Sequence, residues 1–96
     1  MTVGWYDTFV VEVPVECPGC ARTVHRKFQS KAPGLKCVMA RFREGRRAAY
    51  RSRAVPDGSY DAYDWCKVCG KMVHVSAVVR GGVFVGVTGA RLEDGS

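Results

Sequence analysis

Two short stretches constrain this chain more than any other: Cys17-Pro18-Gly19-Cys20 and Cys66-Lys67-Val68-Cys69. Each is a C-x-x-C pair, and 45 residues lie between them. A two-residue spacer lets both thiolates of a pair reach one ion from a tight turn. Two such pairs complete a tetrahedral four-sulfur shell. The expected ligands are therefore Cys17, Cys20, Cys66 and Cys69, and the expected ion is one structural Zn²⁺. The plain alternative is four unrelated or disulfide-bonded cysteines. Iron also accepts tetrahedral sulfur, but zinc is the commoner structural ion in such a shell, and nothing implies an electron-transfer partner. A filled shell leaves no position for water, so metal-assisted hydrolysis is not expected.

The two pairs share their surroundings. Cys-Pro-Gly-Cys-Ala-Arg-Thr-Val-His and Cys-Lys-Val-Cys-Gly-Lys-Met-Val-His agree at both cysteines, then at Arg22/Lys71, Val24/Val73 and His25/His74. The match suggests one construction used twice, a metal knuckle running into a β-strand. Two knuckles facing each other across one ion is the zinc-ribbon arrangement.

Ninety-six residues suit one domain over 1–96, with 1–7 and 89–96 peripheral. A chain this short buries only about 60–68% of its unfolded surface, so a metal matters to its stability. Five cysteines exclude a complete intramolecular disulfide set. No basic segment followed by an apolar run opens the chain, and no apolar stretch is long enough for a bilayer. A reducing cytoplasm is the expected compartment, with no membrane role. The formal charge is +6. Four thiolates around a divalent ion lower it by two, which still favours an acidic partner without requiring one.

In chain order, residues 8–16 alternate, with Phe9, Val11, Val13 and Val15 on one face, as in a half-buried strand entering Cys17. Pro14 cannot donate to a ladder, so this strand lies at an edge or ends at a bulge. Trp5 and Tyr6 read as a hydrophobic cap. A strand through Gln29 follows the first knuckle, with Val24 and Phe28 inward and His25 and Lys27 outward. Pro33-Gly34 supplies a turn, and 36–43 alternates again with Val38, Ala40 and Phe42 on one face. Glu44-Gly45 would close a hairpin with Arg46–Arg53. A helix over 38–50 is the alternative, disfavoured by Gly45 at its centre. Pro56-Asp57-Gly58 is a turn, Tyr60–Trp65 enters the second knuckle and Met72–Arg80 leaves it. Gly81-Gly82 is a two-residue hairpin loop before Val83–Thr88, and the polar tail 89–96 frays. The whole reads as all-β, a small zinc-ribbon-like domain of antiparallel hairpins.

Several residues then combine into a recognisable pattern: Trp-Tyr-Asp near the start, Cys-Pro-Gly-Cys, Phe28-Gln29-Ser30-Lys31, Cys37, and an aromatic strand into Cys-x-x-Cys-Gly. Over about residues 5–75 the chain resembles a group of small zinc-ribbon proteins of phages and prophages. Where an acidic residue commonly follows Phe-Gln-Ser-Lys in that group, Ala32 stands here. The resemblance implies a small zinc-binding β protein, often phage-encoded, and carries no activity across.

Cys37 is the spare cysteine. It reads as a small buried hydrophobe, with a replacement ligand or a redox thiol as the sharper options. His25 and His74 read as solvent-facing strand residues, since the shell is already full. Arg41, Arg43, Arg46, Arg47, Arg51 and Arg53, with Tyr50 among them, form the candidate partner surface. Phosphate contacts from the arginines and base stacking on Tyr50 would use these residue types. In the expected hairpin Arg43 faces Arg46, and like charges so placed destabilise pairing unless an anion joins them. The last hairpin pairs Val79 with Phe84 and Val78 with Val85. One face carries Val73, Val75, Ala77, Val79 and Phe84. The other carries Met72, Val78, Val83, Val85 and Val87, either covered by 36–60 or open to another chain. No nucleophile–base pair, paired carboxylates or phosphate loop stands out. The expected protein is a non-enzymatic module, monomer or homodimer, that contacts nucleic acid through its arginines. The alternative is a module that docks on a host or phage protein through the apolar hairpin or the aromatic 60–65 strand.

Overall fold

The computed structural model describes residues 5–51 and 53–93. Eight strands form in chain order: β1 (Asp7–Glu16), β2 (Thr23–Ser30), β3 (Arg41–Arg43), β4 (Ala49–Tyr50), β5 (Arg53–Ala54), β6 (Gly58–Trp65), β7 (Met72–Arg80) and β8 (Val83–Leu92). No helix occurs among the described residues, so the fold is all-β. Six strands make one sheet in the order β3-β1-β2-β6-β7-β8, and β4 pairs with β5 separately. The hairpin loops of β1–β2 and β6–β7 are the two C-x-x-C segments. The repeated sequence is thus a repeated construction, two hairpins each turning at a cysteine pair.

Alternation builds the core where the strands are regular. Phe9 and Val11 on β1, Tyr60 and Ala62 on β6, and Val75, Ala77 and Val79 on β7 are all buried. The expected inner face of the last hairpin, Val73 to Phe84, is buried throughout. Phe9 lies at the centre, its ring centroid 4.8 Å from Phe84, 5.4 Å from Phe42 and 6.3 Å from Tyr60. Phe9 and Phe84 sit on strands separated by three others in the sheet order. Their contact requires the sheet to curl.

Bulges supply the curl, since an extra residue bends a strand and increases its twist. On β1, Val10 pairs with Lys27 and Val15 with His25, so Val11–Pro14 lie opposite Arg26 alone. Pro14 falls inside this irregular stretch, in agreement with its missing donor. Within the irregularity the alternation breaks: Val13, expected inward, is 74% exposed. On β2 the buried residues are His25, Phe28 and Ser30, while Val24 is exposed. The expectation that Val24 faces inward and His25 outward is therefore wrong, because strict alternation was carried through a bulge. On β8, Val79 pairs with Phe84 but Val78 with Gly86, not Val85. Val85 is the extra residue and Gly86 takes φ +136°, a region open to glycine.

The largest correction concerns 36–53. Residues 36–40 do not form a strand: Cys37 and Met39 adopt φ of +54° and +64°, and Val38 is exposed. Only Arg41–Arg43 extends, and it runs parallel to β1, Phe9 beside Phe42. The Glu44-Gly45 turn exists, with Arg46 N–H donating to the Arg43 carbonyl at 3.0 Å. No hairpin across it follows. The chain instead crosses to β8, where Gly45 N–H donates to the Phe84 carbonyl (2.7 Å), Phe84 N–H to Arg46 (3.1 Å) and Ala48 N–H to Gly82 (2.8 Å). Residues 41–48 thus link the two edges of the curled sheet, and Phe42 and Ala48 are buried in the seam. Long-range pairing with β1 and β8 wins over the local hairpin because it buries Phe42 against Phe9.

Asp7 anchors this arrangement. Its buried carboxylate accepts the backbone N–H groups of Cys37 (3.1 Å), Val38 (3.0 Å) and Ala40 (3.0 Å), and the Tyr50 hydroxyl. Residue 7 is therefore not peripheral; of the expected cap, Trp5 is 58% exposed and Tyr6 half-buried. The tail does not fray where it is described: β8 continues to Leu92, and Glu93 N–H donates to the Met72 carbonyl at 3.0 Å. Residues 1–4 and 94–96, also expected to be peripheral, lie outside the described residues. At the other end Asp57 accepts the N–H groups of Gly81 (2.8 Å) and Gly82 (3.0 Å), which holds its carboxyl below the ordinary range.

Candidate metal centre

Each knuckle closes with the same two hydrogen bonds. Cys17 N–H donates to the Arg22 carbonyl (2.7 Å) and Ala21 N–H to the Cys17 carbonyl (2.8 Å). The counterparts are Cys66 N–H to Lys71 (2.9 Å) and Gly70 N–H to Cys66 (2.8 Å). Ala21 and Gly70 occupy equivalent left-handed positions, at φ +62° and +70°. In the first knuckle alanine bears a conformation that glycine adopts freely in the second.

The knuckles bring the sulfurs of Cys17, Cys20, Cys66 and Cys69 within 4.8 Å of one another. Cys17 and Cys69 are 3.7 Å apart, as are Cys20 and Cys66. A tetrahedron with metal–sulfur distances of about 2.3 Å has edges of about 3.8 Å. The spacing fits a four-sulfur metal shell and is far from a disulfide, where sulfurs sit about 2.05 Å apart. All five cysteines are free.

Electrostatics support the same reading. Burial pushes Cys17 up, but the neighbouring His25 ring and then the N–H groups of Cys20 and Gly19 outweigh it and bring the thiol to about 6. At Cys66 the Cys69 N–H leads, and the thiol is also lowered. Cys69 moves the other way, to about 11, chiefly by burial and then by its crowded sulfur neighbours. At Cys20 the Arg22 N–H pulls down, yet burial and the Cys17 and Cys66 sulfurs carry the thiol up. Four sulfurs this close cannot all carry negative charge without a counter-ion, and a bound divalent cation would supply one. Cys17, Cys66 and Val73 form a small buried cluster under the site, flanked by Leu92.

His25 is the residue beside the cluster that alternation missed. It is 1% exposed, its Nδ1 lies 2.7 Å from Asp64 Oδ2, and its ring sits beside the Cys17 and Cys66 sulfurs. Burial pulls its pKa down, but Asp64 and then the two sulfurs hold it above the ordinary value. His74 is half-buried rather than solvent-facing, with Asp61 Oδ2 at 3.4 Å and Glu93 Oε1 at 3.0 Å. The repeat between His25 and His74 was the available signal.

Cys37 stands apart from the cluster, half-buried, with its sulfur 4.0 Å from the Ser30 carbonyl. Burial and then the Asp7 charge push its thiol up, so it is a poor nucleophile. Cys37→Ala should leave metal stoichiometry unchanged and cost about 1–2 kcal/mol. Metal analysis with a denaturant titration checks this, and loss of metal would show that Cys37 is a ligand.

Arg41, Arg43, Arg46, Arg47, Arg51 and Arg53 are all exposed, and among the described residues none enters an ion pair. Arg41 and Arg43 flank Phe42 on β3, Arg47 bridges to Val83, and Arg51 and Arg53 belong to the β4–β5 corner. Tyr50 does not join them. Its hydroxyl donates to Asp7 and accepts the Lys36 N–H (2.9 Å), and its ring meets Phe42 edge-on at 5.4 Å. Burial and then the Asp7 bond raise its pKa. The expected stacking platform is thus a structural residue. The outer face of the last hairpin is graded: Met72, Val78 and Val83 are half-buried, Val85 is 46% exposed, and Val87 turns onto the core. No helix among the described residues is long and apolar enough to cross a membrane.

These features define a small all-β domain whose four clustered cysteines are spaced to hold a metal ion. No family model matches the chain, and neither the curated proteins nor the solved structures contain a match.

Proposed function

We propose that the chain is a non-enzymatic module stapled by one Zn²⁺ on Cys17, Cys20, Cys66 and Cys69, and that it binds nucleic acid through the arginines of the seam. The observation that carries this reading is six exposed arginines within thirteen residues, unpaired among the described residues: Arg41, Arg43, Arg46 and Arg47 lie on a backbone fixed to β1 and β8, and Arg51 and Arg53 on the β4–β5 corner that follows. A fixed backbone presents cations to phosphates with little ordering cost on binding. Phosphate contact positions a protein on nucleic acid without reading sequence. With Tyr50 occupied, the arginines alone carry the contact. Five free cysteines suit a reducing, cytoplasmic setting. The phage-protein resemblance suits a small accessory protein.

The test is fluorescence anisotropy with random single-stranded and duplex oligonucleotides across a salt series. Replacing Arg43, Arg46 and Arg47 together by glutamine should weaken binding across all sequences. It should also flatten the plot of log affinity against log salt by about 0.7–0.9 per lost phosphate contact. Absence of binding by the native protein at low micromolar concentration and modest salt would overturn the reading.

One observation favours a second reading, docking on a protein. Val24, Trp65 and Val68 are 48%, 53% and 54% exposed and line one groove of about 440 Å³ beside the knuckles, with Arg26, Lys27 and Lys67 around them. Exposed apolar surface gathered in one place marks interaction sites. A mostly apolar contact there would show little salt dependence.

A further inference from the structure

We infer that His25 is an outer ligand of the metal centre, held by Asp64 through Nδ1 and donating its Nε2 hydrogen to the Cys17–Cys66 side of the sulfur shell. The inference rests on the four-sulfur site holding a metal, as proposed above.

Three observations converge. His25 is buried, and Nδ1 is fixed by the 2.7 Å contact with Asp64. Its Nε2 is the only buried side-chain nitrogen or oxygen among the described residues that lacks a hydrogen-bond partner. The titratable groups that bear on it are Asp64, Cys17 and Cys66. A buried polar atom without a partner calls for an explanation, and the sulfur shell beside it supplies one.

The chemistry fixes the direction of both bonds. An ionised carboxylate only accepts, so Nδ1 donates to Asp64. A metal-bound thiolate is likewise an acceptor, so Nε2 must carry a hydrogen to interact favourably, and a ring that donates from both nitrogens is the imidazolium. Four thiolates on a divalent ion leave a net charge of −2, confined here under Val73 and Leu92. A donor aimed at two of those sulfurs lowers the cost of confining that charge. Partners in the outer shell orient ligands and tune metal affinity. The ring also packs against Phe28, centroids 6.0 Å apart, which limits its rotation.

The decisive measurement uses the full chain loaded with ¹¹³Cd in place of its native ion and labelled with ¹⁵N-histidine. The cadmium resonance first reports whether four sulfurs bind the metal at all, independently of His25. A failure there overturns the metal reading; an S₄ resonance with a negative result at His25 overturns only the present inference. The expected result is an Nε2 that bears a hydrogen, exchanges slowly with solvent and shows scalar coupling to cadmium through the N–H···S contact. An Nε2 without a hydrogen, or one bound directly to cadmium, would overturn it. In parallel, His25→Phe fills the same space beside Phe28 without a donor, and Asp64→Asn keeps an acceptor but removes the charge. Chelator competition should show about 10–100-fold weaker metal binding for His25→Phe, with one ion still bound, and a smaller loss for Asp64→Asn. Unchanged affinity in both would contradict the inference. If His25→Phe does not fold, the spectrum of the native sequence decides alone.

Discussion

Cys66→Ser should remove the metal and leave the chain without a cooperative folding transition. Cys66 is fully buried, its sulfur is 3.7 Å from Cys20, and its knuckle joins β6 to β7. A serine hydroxyl is a poor substitute for a thiolate at a four-sulfur site. The three remaining sulfurs would still be crowded under Val73 and Leu92, now without a full shell around a cation. Structural zinc sites contribute on the order of 10–16 kcal/mol of apparent binding energy at neutral pH, whereas whole small domains are stable by about 5–15 kcal/mol. Losing the first is enough to consume the second. Far-ultraviolet circular dichroism against temperature, with elemental analysis of the same sample, checks the outcome. A folded variant with a sharp transition and no metal would show that the hydrophobic core suffices alone.

The second large effect belongs to a residue far from the cysteines. Asp7→Ala should destabilise the protein by about 3–5 kcal/mol, because hydrogen bonds to a charged group and the stranding of buried donors each count for more than ordinary bonds. The carboxylate serves three backbone N–H groups and the Tyr50 hydroxyl. It also holds Cys37 and Met39 in left-handed conformations that side chains disfavour. Without it, the 36–40 loop has nothing to fix that shape, and β3 loses its approach to β1. Tyr50→Phe removes one of the four donors and should cost only about 1–2 kcal/mol. Denaturant titrations of the metal-loaded proteins give both numbers. Equal losses for the two variants would mean that the carboxylate does not organise the loop.

The contrast between these two positions shows what the sequence made legible. The cysteine pairs could be read directly, because metal geometry restricts both residue type and spacing. The matching sequence after each pair likewise identified two equivalent knuckles. The inner face of β7 and the Gly81-Gly82 turn were legible because that hairpin is regular up to Val79–Phe84. Alternation failed at His25 and the expected Val78–Val85 pairing failed on β8, both at bulges, and a bulge has no firm signature in one sequence. Asp7 shares parity with Phe9 and Val11, but the expected strand began at residue 8 and left Asp7 in a peripheral segment. Only the loop at 37–40 explains why a carboxylate belongs there. The seam at 41–48 was illegible for a different reason. Its partners on β1 and β8 are distant in sequence, and local turn chemistry at Glu44-Gly45 favours a hairpin that burial of Phe42 and Ala48 overrides.

The central claim is that four cysteines from two knuckles hold one metal ion. X-ray absorption at the metal edge tests it most directly, on protein purified under reducing conditions and first analysed for its metal content. The account predicts one ion per chain with four sulfur neighbours at about 2.3 Å and no nitrogen or oxygen in the inner shell. A folded protein that holds no metal, or an ion bound mainly through nitrogen or oxygen, would contradict it.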